Sequence, residues 1–134
     1  MKDKEMQAIG IDAIEVKRIE KVLNKFGNRF LHRVYTDKEI FLCRGRVQEI
    51  AARFAAKEAA MKTLGTGIIG ISWKEIEVLS NNRGKPTIEF FGKAKKRAEQ
   101  LSLRGVDVSI THLQQIAIAI VVGISQEIIN EKRK

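Results

Sequence analysis

The sequence predicts an α+β fold, an antiparallel β-sheet packed with a long central helix and several shorter helices. Apolar residues recur at three- and four-residue steps from Val47 to Leu64 and lead to a Gly-Thr-Gly stop, which indicates the central helix. Alternating residues around the turn sequence NNRGKP indicate a β-hairpin over residues 73–91. The alternating segment 106–111 precedes an apolar segment, 116–122, which is typical of a central strand covered on both faces. Neither repeat nor linker interrupts the pattern, so we expect one domain spanning residues 1–134.

Shorter elements precede the central helix. Residues 7–12 are apolar enough for a short buried strand, and a helix with one apolar stripe should follow over residues 14–26. Asp12 would stand where the strand turns into this helix, and aspartate is a good N-cap. Beyond Gly27 the pattern predicts a second short helix.

Two further helices have recognisable ends. Thr36 and Glu39 have the spacing of a capping box, which predicts a helix that runs to about Cys43. Residues 92–103 form a basic amphipathic pattern, and we expect this helix to end near Gly105. The polar segment 126–134 is predicted to be a frayed tail.

The amino-acid composition limits the classes of function that the chain could have. The 134 residues include 25 Lys and Arg against 16 Asp and Glu, a net charge of +9, which favours a polyanionic partner. Aromatic residues make up only 6% of the chain, so stacking platforms for single-stranded nucleic acid are scarce. The longest apolar segment is strand length, the N-terminus lacks a signal peptide core, and the single Cys43 excludes an intrachain disulfide. We therefore expect a cytoplasmic protein that does not enter a membrane.

A small set of side chains could support phosphate chemistry. Carboxylates from two elements are what a Mg²⁺ ion shared with phosphates needs, and a lysine nearby would stabilise a transferring phosphoryl group. Glycines would let backbone N–H groups approach a phosphate. Each residue also has a plain structural interpretation: a helix cap, an i,i+4 surface pair, a helix stop or a structural histidine. The set comprises Asp12, Glu58, Lys62, the Gly-Thr-Gly at 65–67, and His112.

The chain resembles the holo-acyl-carrier-protein synthase family, the small single-domain 4′-phosphopantetheinyl transferases. The resemblance covers nearly the whole chain in order, and its first two motifs together are highly specific. The matching segments are GIDAIEVKRIE at 10–20, RFAAKEAAMKTLGTG at 53–67, WKEIEV at 73–78, GKP at 84–86 and VSITH at 108–112.

The resemblance implies transfer of phosphopantetheine from coenzyme A to a serine of apo acyl carrier protein, in support of fatty acid biosynthesis, with release of adenosine 3′,5′-bisphosphate. It implies that Asp12 and Glu58 bind Mg²⁺, that Lys62 stabilises or protonates the leaving phosphate, and that Glu58 helps to deprotonate the serine. It further implies a coenzyme A site, for which the matching residues are Arg53, Lys57, Gly65, Thr66, Gly67, Pro86, Ser109 and His112.

The resemblance also implies partners. Acyl carrier proteins are acidic, and the first helices should dock them through Arg18 and, on the same surface, Arg29 and Arg33. Relatives of this length form trimers with active sites between subunits, so we expect a homotrimer. Leu113 stands where relatives commonly have a small polar residue, which puts contacts near His112 in question.

Two other functions fit parts of the sequence. A basic nucleic-acid-binding module without catalysis would explain the charge of +9, although it leaves the paired carboxylates and the Gly-Thr-Gly unexplained. A scaffold that keeps a transferase-like sequence is the third hypothesis. Because Asp12, Glu58 and Lys62 are all present, we expect the transferase.

Overall fold

The computed structural model describes residues 7–65 and 70–125. Within these ranges the chain is α+β, as predicted, with a long helix packed against an antiparallel sheet. A single turn of 3₁₀ helix, Trp73–Glu75, precedes the hairpin. The other elements, in chain order, are β1 (Gln7–Glu15), α1 (Val16–Phe26), α2 (Asn28–Val34), α3 (Asp37–Cys43), α4 (Val47–Leu64), β2 (Ile76–Ser80), β3 (Pro86–Phe90), α5 (Gly92–Gln100), β4 (Leu103–His112) and β5 (Ile116–Ser125).

The strands form two antiparallel sheets. The larger has the order β1-β5-β4, so the apolar strand β5 is central, as the sequence predicts. Strands β2 and β3 form the separate hairpin. Helix α4 crosses one face of the larger sheet, where it packs against β1 and β5. Among the described residues, no helix is long and apolar enough to span a membrane.

Helix α4 is buried on nearly all sides. Between Ile50 and Leu64 every residue is buried except Phe54, Glu58 and Lys62, which follow one another at four-residue steps. Glu58 therefore lies on the one face of this segment that is not fully buried. The reason is composition, because the six alanines of α4 let the sheet, the hairpin and α1 approach it from several directions.

Several boundaries differ from the sequence prediction. Strand β1 continues to Glu15, so Asp12 lies within the strand and does not cap α1. Trp73–Glu75 is a 3₁₀ turn, and the hairpin begins only at Ile76. Strand β4 already begins at Leu103, with a register shift before Val106, so α5 is shorter than expected.

Other predicted features are confirmed. Thr36 and Glu39 form the capping box of α3, and their reciprocal bonds have lengths of 3.2 and 2.8 Å. Helix α3 ends at Cys43, as predicted. Gly65 ends α4 with φ of +76°, a left-handed conformation that favours glycine.

Within the described ranges, the sheet is covered by the chain on one face only. On the α4 side, Ala117, Ala119 and Val121 of β5 are fully buried. On the opposite face the larger apolar residues are open: Ile9 and Ile11 of β1 are 58% and 56% exposed. The prediction that the central strand is covered on both faces thus holds for only one face within a single chain.

Gly10 sets the distance between β1 and α4. A Cβ atom at this position would overlap the Ala59 carbonyl oxygen and would lie 2.6 Å from Thr63 Oγ1. Both atoms belong to α4, so the helix backbone rests directly on the strand. Only a residue without a side chain permits this contact.

We expect Gly10→Ala to destabilise the protein by about 3 kcal/mol, because overpacking forces β1 away from α4. The measurement is urea or thermal unfolding. Gly105→Ala is the matched control, since a Cβ there meets no atom within 4 Å, and its effect should stay within about 0.5 kcal/mol. Equal unfolding midpoints for the two variants would contradict the close approach.

Candidate functional site

The sheet and the central helix bring Asp12, Glu58 and Lys62 together. Lys62 Nζ on α4 donates to Asp12 Oδ1 on β1 at 3.2 Å and to the Ile11 carbonyl oxygen at 3.0 Å. The Lys62 side chain is 57% exposed, whereas that of Asp12 is only 14% exposed. The lysine therefore pairs with the strand, and the i,i+4 pair with Glu58 considered in the sequence analysis is not the arrangement found. An exposed cation now lies directly beside a half-buried acid.

The pKa of Glu58 is shifted by burial and by the charges around it. Burial raises the pKa of the Glu58 carboxyl, and the negative charge of Asp12 raises it further, while Lys62 and Arg18 lower it. The Asp12 charge on β1 therefore opposes ionisation of Glu58 on α4. Two ionised acids at this place repel, so the site favours a positive charge that both can share.

The donor set fits a magnesium ion. Mg²⁺ is commonly held by one or two protein carboxylates and completes its octahedron with water and phosphate oxygens. In the described part of the chain, no group of three or more His, Cys, Asp or Glu side chains converges as a closed metal site would require. An acid pair with open coordination positions suits an ion that is shared with a phosphate ligand.

A cavity beside the N-terminal half of α4 gathers three of the residues predicted for coenzyme A. Arg53, Pro86 and His112 line a space of about 150 Å³, together with Glu49. Glu49 lies between the two basic side chains: Arg53 Nη1 donates to Glu49 Oε1 at 2.9 Å, and His112 Nε2 lies 3.6 Å from Glu49 Oε2. This cluster is suited to an anionic group that would replace Glu49 as the partner of both.

An adjoining cavity contains a fourth predicted residue. Ser109 and Pro86 line a space of about 350 Å³ that borders Ile120 on the open face of the sheet. Lys85 and Asp107 also line it, with 3.9 Å between Nζ and Oδ1. Pro86 belongs to both cavities, so the hairpin turn forms part of each wall. Of the predicted Gly-Thr-Gly, Gly65 caps α4, and the predictions for Thr66 and Gly67 concern residues outside the described ranges.

Lys57 does not lie where the coenzyme A prediction requires. Its side chain is fully buried, and Nζ donates to the Trp73 carbonyl oxygen at 3.0 Å and pairs with Glu39 Oε1 at 2.8 Å. In this chain the ammonium group faces the interior, where a surface-bound phosphate cannot reach it. The reason is that α4 is enclosed on the side from which Lys57 projects. We therefore leave Lys57 out of the candidate coenzyme A site.

The predicted docking residues share one exposed region. Arg18 lies on α1, Arg29 and Arg33 lie on α2, and all three are exposed. Phe26, the last residue of α1, is itself exposed, and the guanidinium of Arg29 on α2 lies 5.8 Å from its ring centroid. Of the three arginines, Arg18 is the one whose charge lowers the pKa of Glu58. A partner bound at Arg18 would therefore have its contact surface in range of Glu58.

Sequence reasoning missed two acids near these sites. Glu49 was not singled out, although its spacing of four residues from Arg53 is a helix pairing signal. Glu39 was identified only as half of a capping box, yet it is fully buried and pairs with Lys57. No local pattern signals that pairing, because the two residues are 18 positions apart and meet only in the folded chain.

Comparisons with known proteins agree on one family. Residues 8–121 match the family model described as the 4′-phosphopantetheinyl transferase superfamily. A holo-[acyl-carrier-protein] synthase from Herpetosiphon aurantiacus is 44% identical over 125 residues, which cover 88% of this chain and 98% of the relative. A synthase of the same name from Koribacter versatilis is 46% identical over 117 residues, or 84% of this chain and 94% of the relative.

Solved structures resemble the chain in fold as well. The Helicobacter pylori holo-[acyl-carrier-protein] synthase in complex with coenzyme A has a TM-score of 0.79 at 34% identity, covering 86% of this chain and 98% of that one. A holo-(acyl-carrier-protein) synthase from Bacillus anthracis, in complex with CoA (3′,5′-ADP), has a TM-score of 0.72 at 38% identity. That match covers 88% of this chain and 96% of the other.

Proposed function

The chain belongs to the 4′-phosphopantetheinyl transferase superfamily, and from this membership we propose its reaction in detail. The enzyme transfers 4′-phosphopantetheine from coenzyme A to a serine hydroxyl of an apo acyl carrier protein. The products are the holo carrier, which serves fatty acid biosynthesis in the cytoplasm, and adenosine 3′,5′-bisphosphate. The observation that carries the proposal is the ion pair between Lys62 on α4 and Asp12 on β1, at 3.2 Å, together with the effect of the Asp12 charge on the pKa of Glu58.

In the proposed reaction the serine oxygen forms a bond to the phosphorus that carries pantetheine, while the bond from that phosphorus to the adenosine bisphosphate breaks. Glu58 accepts the serine proton, directly or through a water, and its raised pKa suits a base. Lys62 faces the departing phosphate, where its charge offsets the negative charge that accumulates. Its bond to Asp12 Oδ1 holds Lys62 in this position before substrate arrives.

Asp12 and Glu58 would hold Mg²⁺, with the remaining coordination positions left for water and the coenzyme A pyrophosphate. When bound, the ion supplies positive charge at the phosphoryl oxygens. The support within this chain is that the negative charge of Asp12 raises the pKa of Glu58. Neutralising that repulsion makes ion binding favourable at this place.

Coenzyme A would lie along the two cavities that share Pro86. Arg53 and His112 would contact a phosphate in place of Glu49, and Ser109 would line the adjoining part of the site. The backbone at Gly65 would approach the ligand from the end of α4, and the predicted contacts of Thr66 and Gly67 concern residues outside the described ranges. This placement extends the ligand from the hairpin turn toward Glu58 and Lys62.

The carrier would dock on the basic region formed by Arg18, Arg29 and Arg33. An acidic partner gains long-range attraction from such a surface, mainly as faster association. Arg18 would matter most, because its charge also acts on Glu58 and it therefore lies nearest to the reacting serine.

We propose a homotrimer assembled through the open face of the sheet. Ile9, Ile11, Ile120 and Ile124 are all at least 38% exposed there, and such a contiguous apolar surface is unusual for a lone chain. Further copies of the chain would cover it. The cavity at Ser109 borders Ile120, so a neighbouring subunit would complete the wall of that cavity.

The proposed reaction is tested by incubating the purified protein with coenzyme A, Mg²⁺ and an apo acyl carrier protein. The carrier should gain the mass of phosphopantetheine, and a chelator should prevent the gain. Glu58→Gln should reduce turnover by at least about 100-fold, the usual size for a lost acid–base group, with unchanged circular dichroism. Glu20→Gln, an exposed change on α1, is the control. Absence of a mass gain with every plausible cognate carrier would reject the reaction.

Arg18→Ala should raise the KM for the carrier and make it less dependent on salt, because one attractive charge is lost. The KM for coenzyme A should stay the same. Steady-state kinetics at two salt concentrations measure both effects. Lys96→Ala on α5 removes the same charge from another exposed helix and should leave both KM values unchanged. If the two variants behave alike, the docking region is misplaced.

Ile120→Asp should prevent assembly, because a charge would be buried between subunits. Light scattering coupled to size exclusion should give a trimer mass for the wild type and a lower mass for this variant. Phe41→Asp, which alters a 74% exposed residue on α3, should remain trimeric. A monomeric wild type would rule out the proposed assembly.

A further inference from the structure

Strand β2 has one edge that is paired with charged side chains in place of a third strand. Among the described strands, β2 forms a ladder with β3 alone. On its other edge, the Val78 N–H donates to Glu39 Oε2 at 2.7 Å, and the Val78 carbonyl oxygen accepts from Arg53 Nε at 3.1 Å. The Ile76 carbonyl oxygen accepts from Lys57 Nζ at 2.5 Å. Side chains from α3 and α4 thus satisfy backbone groups that would otherwise be unpaired.

All the hydrogen-bond donors of the Lys57 ammonium group are paired at this edge. An ammonium group has three N–H donors, and Lys57 Nζ has three acceptors: the carbonyl oxygens of Trp73 and Ile76, and Glu39 Oε1. Burial lowers the pKa of Lys57, and the charge of Glu39 opposes that effect. The interaction therefore joins α4, α3 and the start of the hairpin in one buried contact.

Both carboxylate oxygens of Glu39 also have hydrogen-bond partners. Its Oε1 accepts from the Thr36 N–H at 2.8 Å as well as pairing with Lys57, and its Oε2 accepts from Val78. In the described ranges, every buried side-chain nitrogen or oxygen has a hydrogen-bond partner. A network of this kind holds its members in one arrangement, because any displacement leaves a buried charge unpaired.

The edge contacts fix a wall of the candidate coenzyme A site. Val78 and Pro86 both line the cavity that contains Arg53 and His112. Pro86 lies on β3, and its register partner on β2 is Ser80, two residues beyond Val78. Any movement of β2 relative to α4 would therefore move the hairpin turn relative to Arg53 and change the width of the cavity.

We propose that Lys57 and Glu39 are positioning residues for coenzyme A, acting by holding the free edge of β2 against α4. The inference rests on the proposed function. It differs from a direct phosphate contact by Lys57, because the buried ammonium group acts here only through the hairpin. It also differs from a general contribution to stability, because it predicts a selective effect on one substrate.

The test compares Lys57→Met with Glu39→Gln by steady-state kinetics. Each variant should raise the KM for coenzyme A roughly tenfold, the size expected when buried hydrogen-bond partners are lost, with an unchanged KM for the carrier. Glu39 is acidic and cannot attract a phosphate, so a raised KM for coenzyme A in Glu39→Gln points to positioning. If Lys57→Met does not fold, Glu39→Gln alone decides the question.

Amide hydrogen exchange in the ligand-free protein supplies a second readout. The Val78 amide should exchange faster in both variants, because its acceptor is lost or released. Ala98→Gly on α5 lowers stability without touching this edge, so it should leave both KM values as in the wild type and should speed exchange at Val78 no more than at other buried amides.

A wild-type KM for coenzyme A in Glu39→Gln would overturn the proposal, as would an equal rise in the KM for the carrier. Unchanged Val78 exchange in both variants would overturn it as well. These outcomes are distinct from failure of the proposed function, in which the wild-type protein itself transfers nothing to the carrier while the exchange comparison can still be made.

Discussion

The contact between α4 and β1 at Gly10 is the constraint on which the remaining structure depends. The helix backbone lies against the strand at a distance that no side chain would allow. Two residues further along β1, Asp12 comes within reach of Lys62 and acts on Glu58. The alanines of α4 serve the same purpose on its other sides. Small residues in the helix and one glycine in the strand thus bring an acid from each element together.

Enclosure of α4 also determines which of its residues can take part in chemistry. Only Phe54, Glu58 and Lys62 are not buried between Ile50 and Leu64, and they share one face. Phe54 stacks on Trp73 with 5.0 Å between ring centroids. This face of α4 therefore packs at Phe54 against the 3₁₀ turn that precedes the hairpin. Glu58 and Lys62 then stand at the part of this face nearest Asp12. Because α4 is buried on its other sides, a ligand would approach the helix from this face.

Sequence patterns predicted the elements well because most signals are local. The capping box of α3 and the glycine cap of α4 each depend on a few neighbouring residues. Trp73–Glu75 was mistaken for strand because its residues alternate, although Ser72 and Glu75 have the capping-box spacing that begins a helical turn. Residue types alone indicated the core set of site residues, and the family resemblance assigned their roles and added the coenzyme A and docking residues. The geometry of the site was not predicted, because Lys62 pairs with Asp12, and not with Glu58, only when β1 lies beside α4 in the folded chain.

Lys57 and Glu58 are neighbours in the sequence, yet they project from α4 about 100° apart and belong to different environments. Amphipathic reasoning assigns a lysine to the surface by default, and no local signal reveals that α4 is enclosed on that side. The chain must satisfy a buried ammonium group, and it does so with the free edge of β2 and the Glu39 carboxylate. An edge paired in this way cannot shift along α4 as a strand ladder might slip, because its partners are single charged groups. In the function that we propose, α4 would present Lys62 to the reacting phosphate, while Lys57 on another side of the same helix holds the edge of β2 in the wall of the cavity.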